Sequence, residues 1–159
     1  MPVPDFVLEL RRHVGTAPLW LSGVSAVVLD PAGRVLLGRR ADTGRWAVIS
    51  GILDPGEQPA VAAIREVAEE TGVRAEVEAL VSVISGQELT YPNGDRASYL
   101  DLTFRCRYLD GAAHVGDDES LEVGWFAPEA LPADLQQTSR ERIADALAHD
   151  PATGPRFIR

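Results

Sequence analysis

Lysine is absent from the 159-residue chain; all 15 of its basic residues are arginine. No lysine nucleophile and no Schiff base can form, which removes one class of covalent mechanism. Cysteine occurs once, as Cys106. An intrachain disulfide and a cysteine-rich metal site are therefore excluded, and a chain so poor in thiols suits a reducing compartment. Cys106 stands in an alternating apolar stretch, the setting of a small core residue rather than a nucleophile. No apolar run reaches the length of a membrane span, and Met1 to Leu10 lacks the basic-then-apolar layout of a signal peptide. The expected location is cytoplasmic, with no membrane partner. Positive charge is also short: 15 basic against 24 acidic residues leave a formal net charge of −9. That surplus opposes general affinity for a nucleic acid polymer. An anionic substrate would have to be met through cations.

What is present reads as one globular domain over residues 1–159, with 45% hydrophobic and 25% charged residues and length enough to bury a sizeable core. A short helix is expected over about residues 4–13, with Phe6, Val7 and Leu10 on one side. Gly23 to Leu29 is an apolar run expected to be a strand buried on both faces. The turn Asp30-Pro31-Ala32-Gly33 joins it to a second strand, Arg34 to Arg40. Trp46 to Ser50 reads as a short strand and Asp54-Pro55-Gly56 as a tight turn. Glu57 to Thr71 turns helical, and Gly72 is placed to stop it. Val77 to Tyr91 is strand material broken by Gly86, and Pro92-Asn93-Gly94-Asp95 is a turn. From Tyr99 to Tyr108, Leu100, Leu102, Phe104, Cys106 and Tyr108 alternate with Asp101, Thr103, Arg105 and Arg107, the pattern of a half-buried strand. Leu121 to Phe126 is a further strand and Ser139 to Ala148 a closing helix; the tail from Asp150 is expected to fray. Hairpins mixed with a helical crossover imply an α/β or α+β domain around a mixed sheet.

The informative segment is Gly51 to Val73, GILDPGEQPAVAAIREVAEETGV. On a helix, with Glu66 taken as zero, Glu69 falls at roughly −60° and Glu70 at roughly +40°. Ile64, Val67, Ala68 and Thr71 take the opposite side. Three carboxylates on one face, with Glu57 near the start, carry an i, i+4 repulsion of a few tenths of a kcal/mol. A bound Mg²⁺, a hard cation that takes carboxylate oxygen and keeps sites for water and phosphate, would relieve it. A merely solvated acidic face is the competing reading.

The spacing adds more. Gly51, Glu57, Arg65-Glu66-Val67, Glu69-Glu70 and Gly72-Val73 stand where the signature of the Nudix hydrolases places glycine, glutamate, arginine and apolar residues. The chain resembles that family at every defined position of the box 51–73, and the order of its strands and the pair Trp125-Phe126 are similar too. The resemblance implies a Nudix fold, an α/β/α sandwich whose box forms loop, helix and loop. It also implies Mg²⁺-dependent hydrolysis of the diphosphate in a nucleoside diphosphate linked to another group, releasing a nucleoside monophosphate, with Mn²⁺ able to substitute. Glu66, Glu69 and Glu70 take the metal-ligand and base roles, Glu57 supports them, and Arg65 orients a glutamate. A backbone carbonyl beside the first box glycine ligates metal in the family; here it belongs to Ser50. The chain departs from the pattern by reading Ile49-Ser50-Gly51 where members often have Pro-Gly-Gly.

Such enzymes often add one carboxylate from outside the box. Glu119, six positions before Trp125, is the first choice, with Asp118 and Glu122 competing. The general base is Glu69 or Glu119, and the sequence leaves both open. Of Arg39 and Arg40, strand alternation allows only one into a cleft; Arg39 is taken as the phosphate contact, with Arg45 and Trp46 as further substrate residues. Trp125 is a second stacking choice, and Tyr91 and Asp95 lie in a turn that would overhang the site. The substrate favoured is a nucleoside triphosphate, against ADP-ribose or another nucleotide sugar, or a non-catalytic nucleotide-binding module. Members that cleave ADP-ribose tend to carry a proline about fifteen residues past the box, where this chain has Glu88. A small nucleotide is the expected partner, and the family's habit of dimerising makes a homodimer an expectation as well.

Overall fold

The computed structural model describes residues 3–157. Among these, nine strands form one mixed sheet with helices on both faces, an α/β/α sandwich. Helix α1 (Asp5–Val14) precedes β1 (Leu19–Leu29), β2 (Val35–Arg40), β3 (Trp46–Ala47) and β4 (Ile49–Ile52). Helix α2 (Pro59–Thr71) follows, then β5 (Arg74–Ser85), β6 (Leu89–Thr90), β7 (Arg96–Asp110) and β8 (Ser120–Phe126). A 3₁₀ turn (Pro128–Ala130), α3 (Gln137–Leu147) and β9 (Arg156–Phe157) complete it. No described helix is long and apolar enough to cross a membrane.

The sheet is organised around β1. It runs parallel to β7 from Leu19↔Ala97 to Leu29↔Arg107 and takes β4 antiparallel on its other edge, Val24↔Gly51 and Ser25↔Ser50. Buried on both sides from Gly23 onward, β1 has the near-continuous apolar character that this position requires. It begins four residues earlier than its apolar run suggests, because Leu19 to Ser22 pair with Ala97 to Leu100 of β7. The stretch Trp46 to Ser50 is not one strand. It breaks at Val48, so that β3 pairs with β2 and β4 with β1.

Even-numbered β1 residues Val24, Ala26 and Val28 pack with Leu36, Ile49, Phe104 and Cys106 beneath Ala62, Ala63 and Val67 of α2. Odd-numbered Val27 and Leu29 pack on the other face with Leu37, Val48, Val81, Ile143 and Ala146, under α3. Val7 of α1 joins Leu21 and Ala97 on a smaller third cluster. The polar face of β7 is exposed at Arg107 but covered at Asp101 and Thr103. Thr103 is only 1% exposed, and its hydroxyl and that of Ser25 donate to Asp101 (3.0 and 2.9 Å), which also accepts from Arg142 Nε of α3 (3.1 Å). Asp101 and Thr103 are tolerated under α3 because these polar groups satisfy one another. The tail, as far as residue 157, returns as β9, parallel to β5, with Arg156 bound to Asp145 (2.9 Å).

Candidate active site

The acidic segment folds as the turn chemistry dictates. Pro59 opens α2 at a position where its missing N–H costs nothing. Gly72 ends it at φ 67°, a left-handed conformation that favours glycine. Ahead of the helix, Glu57 N–H donates to the Asp54 carbonyl (3.0 Å) to close the turn.

The helix does not present its three glutamates on one solvated face. Ala62, Ala63, Glu66, Val67, Glu70 and Thr71 form the buried stripe, while Ala68 is exposed. Glu66 and Glu70 are 5% and 7% exposed, at the edge where α2 crosses β4. Glu66 lies directly over the box glycine: a Cβ on Gly51 would fall 2.1 Å from its carboxyl carbon. Glu70 reaches toward β2, 3.9 Å from where a Gly38 Cβ would stand. Glu69 turns outward, its carboxylate accepting from Arg65 Nη1 (3.0 Å).

Arg65 ties the group together. Its Nε and Nη2 donate to the two oxygens of Glu57 (2.8 and 3.0 Å), and Nη1 donates to Glu66 (2.9 Å) as well as Glu69. The paired bonds from the guanidinium hold the Glu57 carboxyl below its ordinary range. Burial has the opposite effect on the inner pair. It pushes the Glu66 carboxyl up to about 7, with Arg65 only partly compensating. It pushes Glu70 up to about 8, reinforced by the negative charges of Glu66 and Asp117.

Two buried carboxylates one helical turn apart, with Asp117 close by, form a donor set of hard oxygens whose negative charge Arg65 offsets only in part, through Glu66. Among the described residues no arginine or histidine comes within ion-pair distance of Glu70. Nor do three acidic, histidine or cysteine side chains converge into a finished metal cage. Glu66 and Glu69 share Arg65 Nη1, while Glu70 stands one turn further along the helix. The fit to a divalent cation rests on the inner pair: buried carboxylate charge wants a cation of high charge density.

The 112–119 segment forms the second wall. His114 N–H donates to Thr71 O (3.0 Å) and Gly116 N–H to Glu70 O (2.9 Å), two carbonyls of the helix's last turn. Asp117 follows at once and is itself pushed up, by burial first and then by Asp118. Glu119 is half-buried, and its carbonyl accepts from Ala41 N–H (2.7 Å). Asp118 is exposed. Glu122 is bound to Arg39 (2.8 Å).

The arginines sort by strand register. Leu36 and Gly38 of β2 face α2, so Arg39 points to the opposite face, where it donates to Glu122 and to Gly44 O (2.9 Å). Arg40 faces the carboxylates; it donates to both oxygens of Asp42 (2.9 and 2.6 Å) and lies in the field of Glu70. Trp46, paired with Arg39, shares its face and packs edge-on against Phe126 (4.8 Å between ring centres). Arg45 donates to Asp134 O (3.3 Å). The structure thus gathers Glu57, Glu66 and Glu69 on Arg65, with Glu70 one turn further along α2 and Ser50 next to the Gly51 that lies under Glu66, and does not bring Arg39, Arg45 or Trp46 to them. Trp125 is likewise engaged, edge-on to Tyr108 (5.4 Å). Sequence reasoning sets Arg40 behind Arg39 and passes over Gly116 and Asp117. The alternation of Gly38 with Arg39 is the one signal that, given the register, separates the two arginines.

A mixed sheet between helices, with an acidic loop–helix–loop folded against its central strand, defines a Nudix-type α/β/α hydrolase. The chain belongs to the NUDIX domain family, whose family model matches residues 20–146. It is 36% identical over 136 residues to a MutT-like protein of Streptomyces ambofaciens, covering 86% of this chain and 82% of that protein. It is 28% identical to a Bacillus subtilis protein provisionally named 8-oxo-dGTP diphosphatase, covering 80% of each. Among solved structures, a MutT NUDIX hydrolase from Burkholderia pseudomallei superposes with a TM-score of 0.67 at 26% identity, over 80% of this chain and 98% of that one. The chain is accordingly an enzyme, a hydrolase of the nucleoside diphosphate class, of a family that works with divalent metal ions.

Proposed function

We propose that the protein is a Mg²⁺-dependent nucleoside triphosphate pyrophosphohydrolase, accepting Mn²⁺ in place of Mg²⁺ and releasing a nucleoside monophosphate. The observation that carries this is the buried pair Glu66 and Glu70, whose ionised form needs a cation. Glu66, Glu69, Glu70 and the carbonyl of Ser50 are the ligands we assign. When bound, the metal offsets phosphate charge and lowers the pKa of a water.

The rest is the work of the chain. Arg65 fixes Glu57 and Glu66 so that the box carboxylates keep their places as substrate arrives. Gly51 lets Glu66 lie flat on β4. Glu69 or Glu119 accepts the proton of the attacking water, a contribution typically of about 10²–10⁴-fold in rate. Glu69 is the more accessible, with its side chain 54% exposed and free to leave Arg65, which keeps two other partners. The preference for a triphosphate over ADP-ribose draws on the MutT-type relatives and on Glu88 standing where the ADP-ribose enzymes tend to have proline.

The test is a panel of deoxynucleoside and ribonucleoside triphosphates, their oxidised forms and ADP-ribose, with Mg²⁺, Mn²⁺ or EDTA and with product identification. Monophosphate and pyrophosphate from a triphosphate, lost in EDTA and on Glu70→Gln, is the expected result. Faster turnover of ADP-ribose than of every triphosphate would overturn the substrate assignment; turnover unchanged in EDTA would overturn the metal.

A further inference from the structure

Segment 112–119 lies flat on the last turn of α2, and one residue makes that approach possible. A Cβ on Gly116 would stand 2.0 Å from the carbonyl oxygen of Glu69 and 3.1 Å from the carbonyl carbons of Glu69 and Glu70. All three atoms are helix backbone, so no side-chain rotation relieves the clash. The same residue donates its N–H to Glu70 O, and His114 N–H holds Thr71 O two residues earlier. At its far end the segment is tied to β2 by Ala41 N–H on Glu119 O. Between these anchors stands Asp117, which contributes to the field at Glu70, and Glu119 is itself the far anchor.

We propose that Gly116 is a positioning residue of the hydrolytic site: its missing side chain lets segment 112–119 dock on the box helix and so carries the carboxylates of Asp117 and Glu119 to Glu70. The proposal rests on the metal-dependent hydrolysis proposed above. Any side chain at position 116 lifts the segment by an ångström or more, and displacements of that size cost about 10²-fold where geometry governs rate. Gly116 touches no substrate itself, so its effect must vanish once the carboxylates it carries are gone.

The experiment is a double-mutant comparison in the full chain. Gly116→Ala is expected to lower kcat at saturating Mg²⁺ by about 10- to 100-fold with KM changed less than about threefold. In an Asp117→Asn, Glu119→Gln background the same substitution is expected to lower the residual rate less than about twofold. Amide exchange in metal-free protein supplies a readout apart from turnover: protection of the residue-116 and His114 amides falls in Gly116→Ala, while that of the β1 and β7 amides stays. His114→Pro, which withdraws the other backbone donor and sets a ring carbon against the Thr71 carbonyl in its place, is expected to give the same kinetic pattern and the same loss of protection at the residue-116 amide, and decides the matter if Gly116→Ala does not fold. Equal fold-losses in both backgrounds, a wild-type kcat in Gly116→Ala, or unchanged amide protection would overturn the proposal. A wild-type enzyme that hydrolyses no nucleotide with any metal would instead refute the function on which it rests.

Discussion

Glu70→Gln replaces a buried, repelled carboxylate by a neutral group of the same shape, and it should make the metal-free protein more stable. The sign follows from linkage. A glutamate whose folded pKa is raised adds stability that is complete below the unfolded value and is lost as pH rises through the folded one, about 8 for Glu70. At about pH 5 the side chain is protonated in the fold and glutamine should match it; at about pH 8 roughly half the folded molecules carry a charge that the unfolded chain would bear freely. Linkage alone sets an upper limit near 4 kcal/mol, and water penetration with local relaxation reduces this to roughly 1–3 kcal/mol. For a domain of this size each kcal/mol moves Tm by about 2–4 °C. Scanning calorimetry in EDTA should then show Glu70→Gln melting about 2–12 °C above wild type at the higher pH and level with it at the lower. Added Mg²⁺ should raise Tm of the wild type at about pH 8 and leave the variant where it was. Equal melting temperatures at both pH values, or a larger gap in acid than in base, would refute the reasoning.

Gly51→Ala sets a methyl 2.1 Å from the Glu66 carboxyl on a strand that its pairing with β1 prevents from shifting. Overpacking of about 1–3 kcal/mol should appear as a lower Tm, together with Mn²⁺ affinity reduced about tenfold or more by titration calorimetry. Arg65→Lys keeps the charge and loses the paired bonds to Glu57; chemical denaturation should show a loss of about 1–3 kcal/mol, with kcat falling by a larger factor than folding alone explains. Asp101→Ala leaves the hydroxyls of Ser25 and Thr103 and the Arg142 guanidinium without their shared acceptor. Denaturant unfolding should report a loss of roughly 3 kcal/mol, while turnover per folded molecule stays within about twofold.

Local punctuation made much of the fold legible. Pro59, Gly72 and the Asp54-Pro55-Gly56 turn bound the box helix within a residue or two, because each has a backbone preference that acts without neighbours. The alternation in β7 identified a strand and its exposed Arg107, but not the covered part of that face, since nothing local tells that α3 will lie over Asp101 and Thr103. The same blindness affected the box. A helical projection separates Glu66, Glu69 and Glu70 by angle, but only the crossing of α2 over β4 decides that two of them go inward. Arg39 and Arg40 were correctly divided between two faces; which faces which depends on a register fixed by Gly38 and its neighbours in β8. Gly116 and Asp117 gave no local signal at all, for their importance lies in contacts with residues more than forty positions away.

The central strand draws its longest partner from far along the chain: Leu19 meets Ala97, 78 positions later. A ribosome must therefore release β7 before β1 can be enclosed, and until then β1 and the β4 edge beside it lack their final support. Contacts of such wide sequence separation slow folding, so the floor beneath Glu66 should be among the last regions to become rigid. A synthetic peptide of residues 51–73 would keep helical tendency but not the geometry, because the surface that turns two of its acids inward is made by strands on either side of it in the chain.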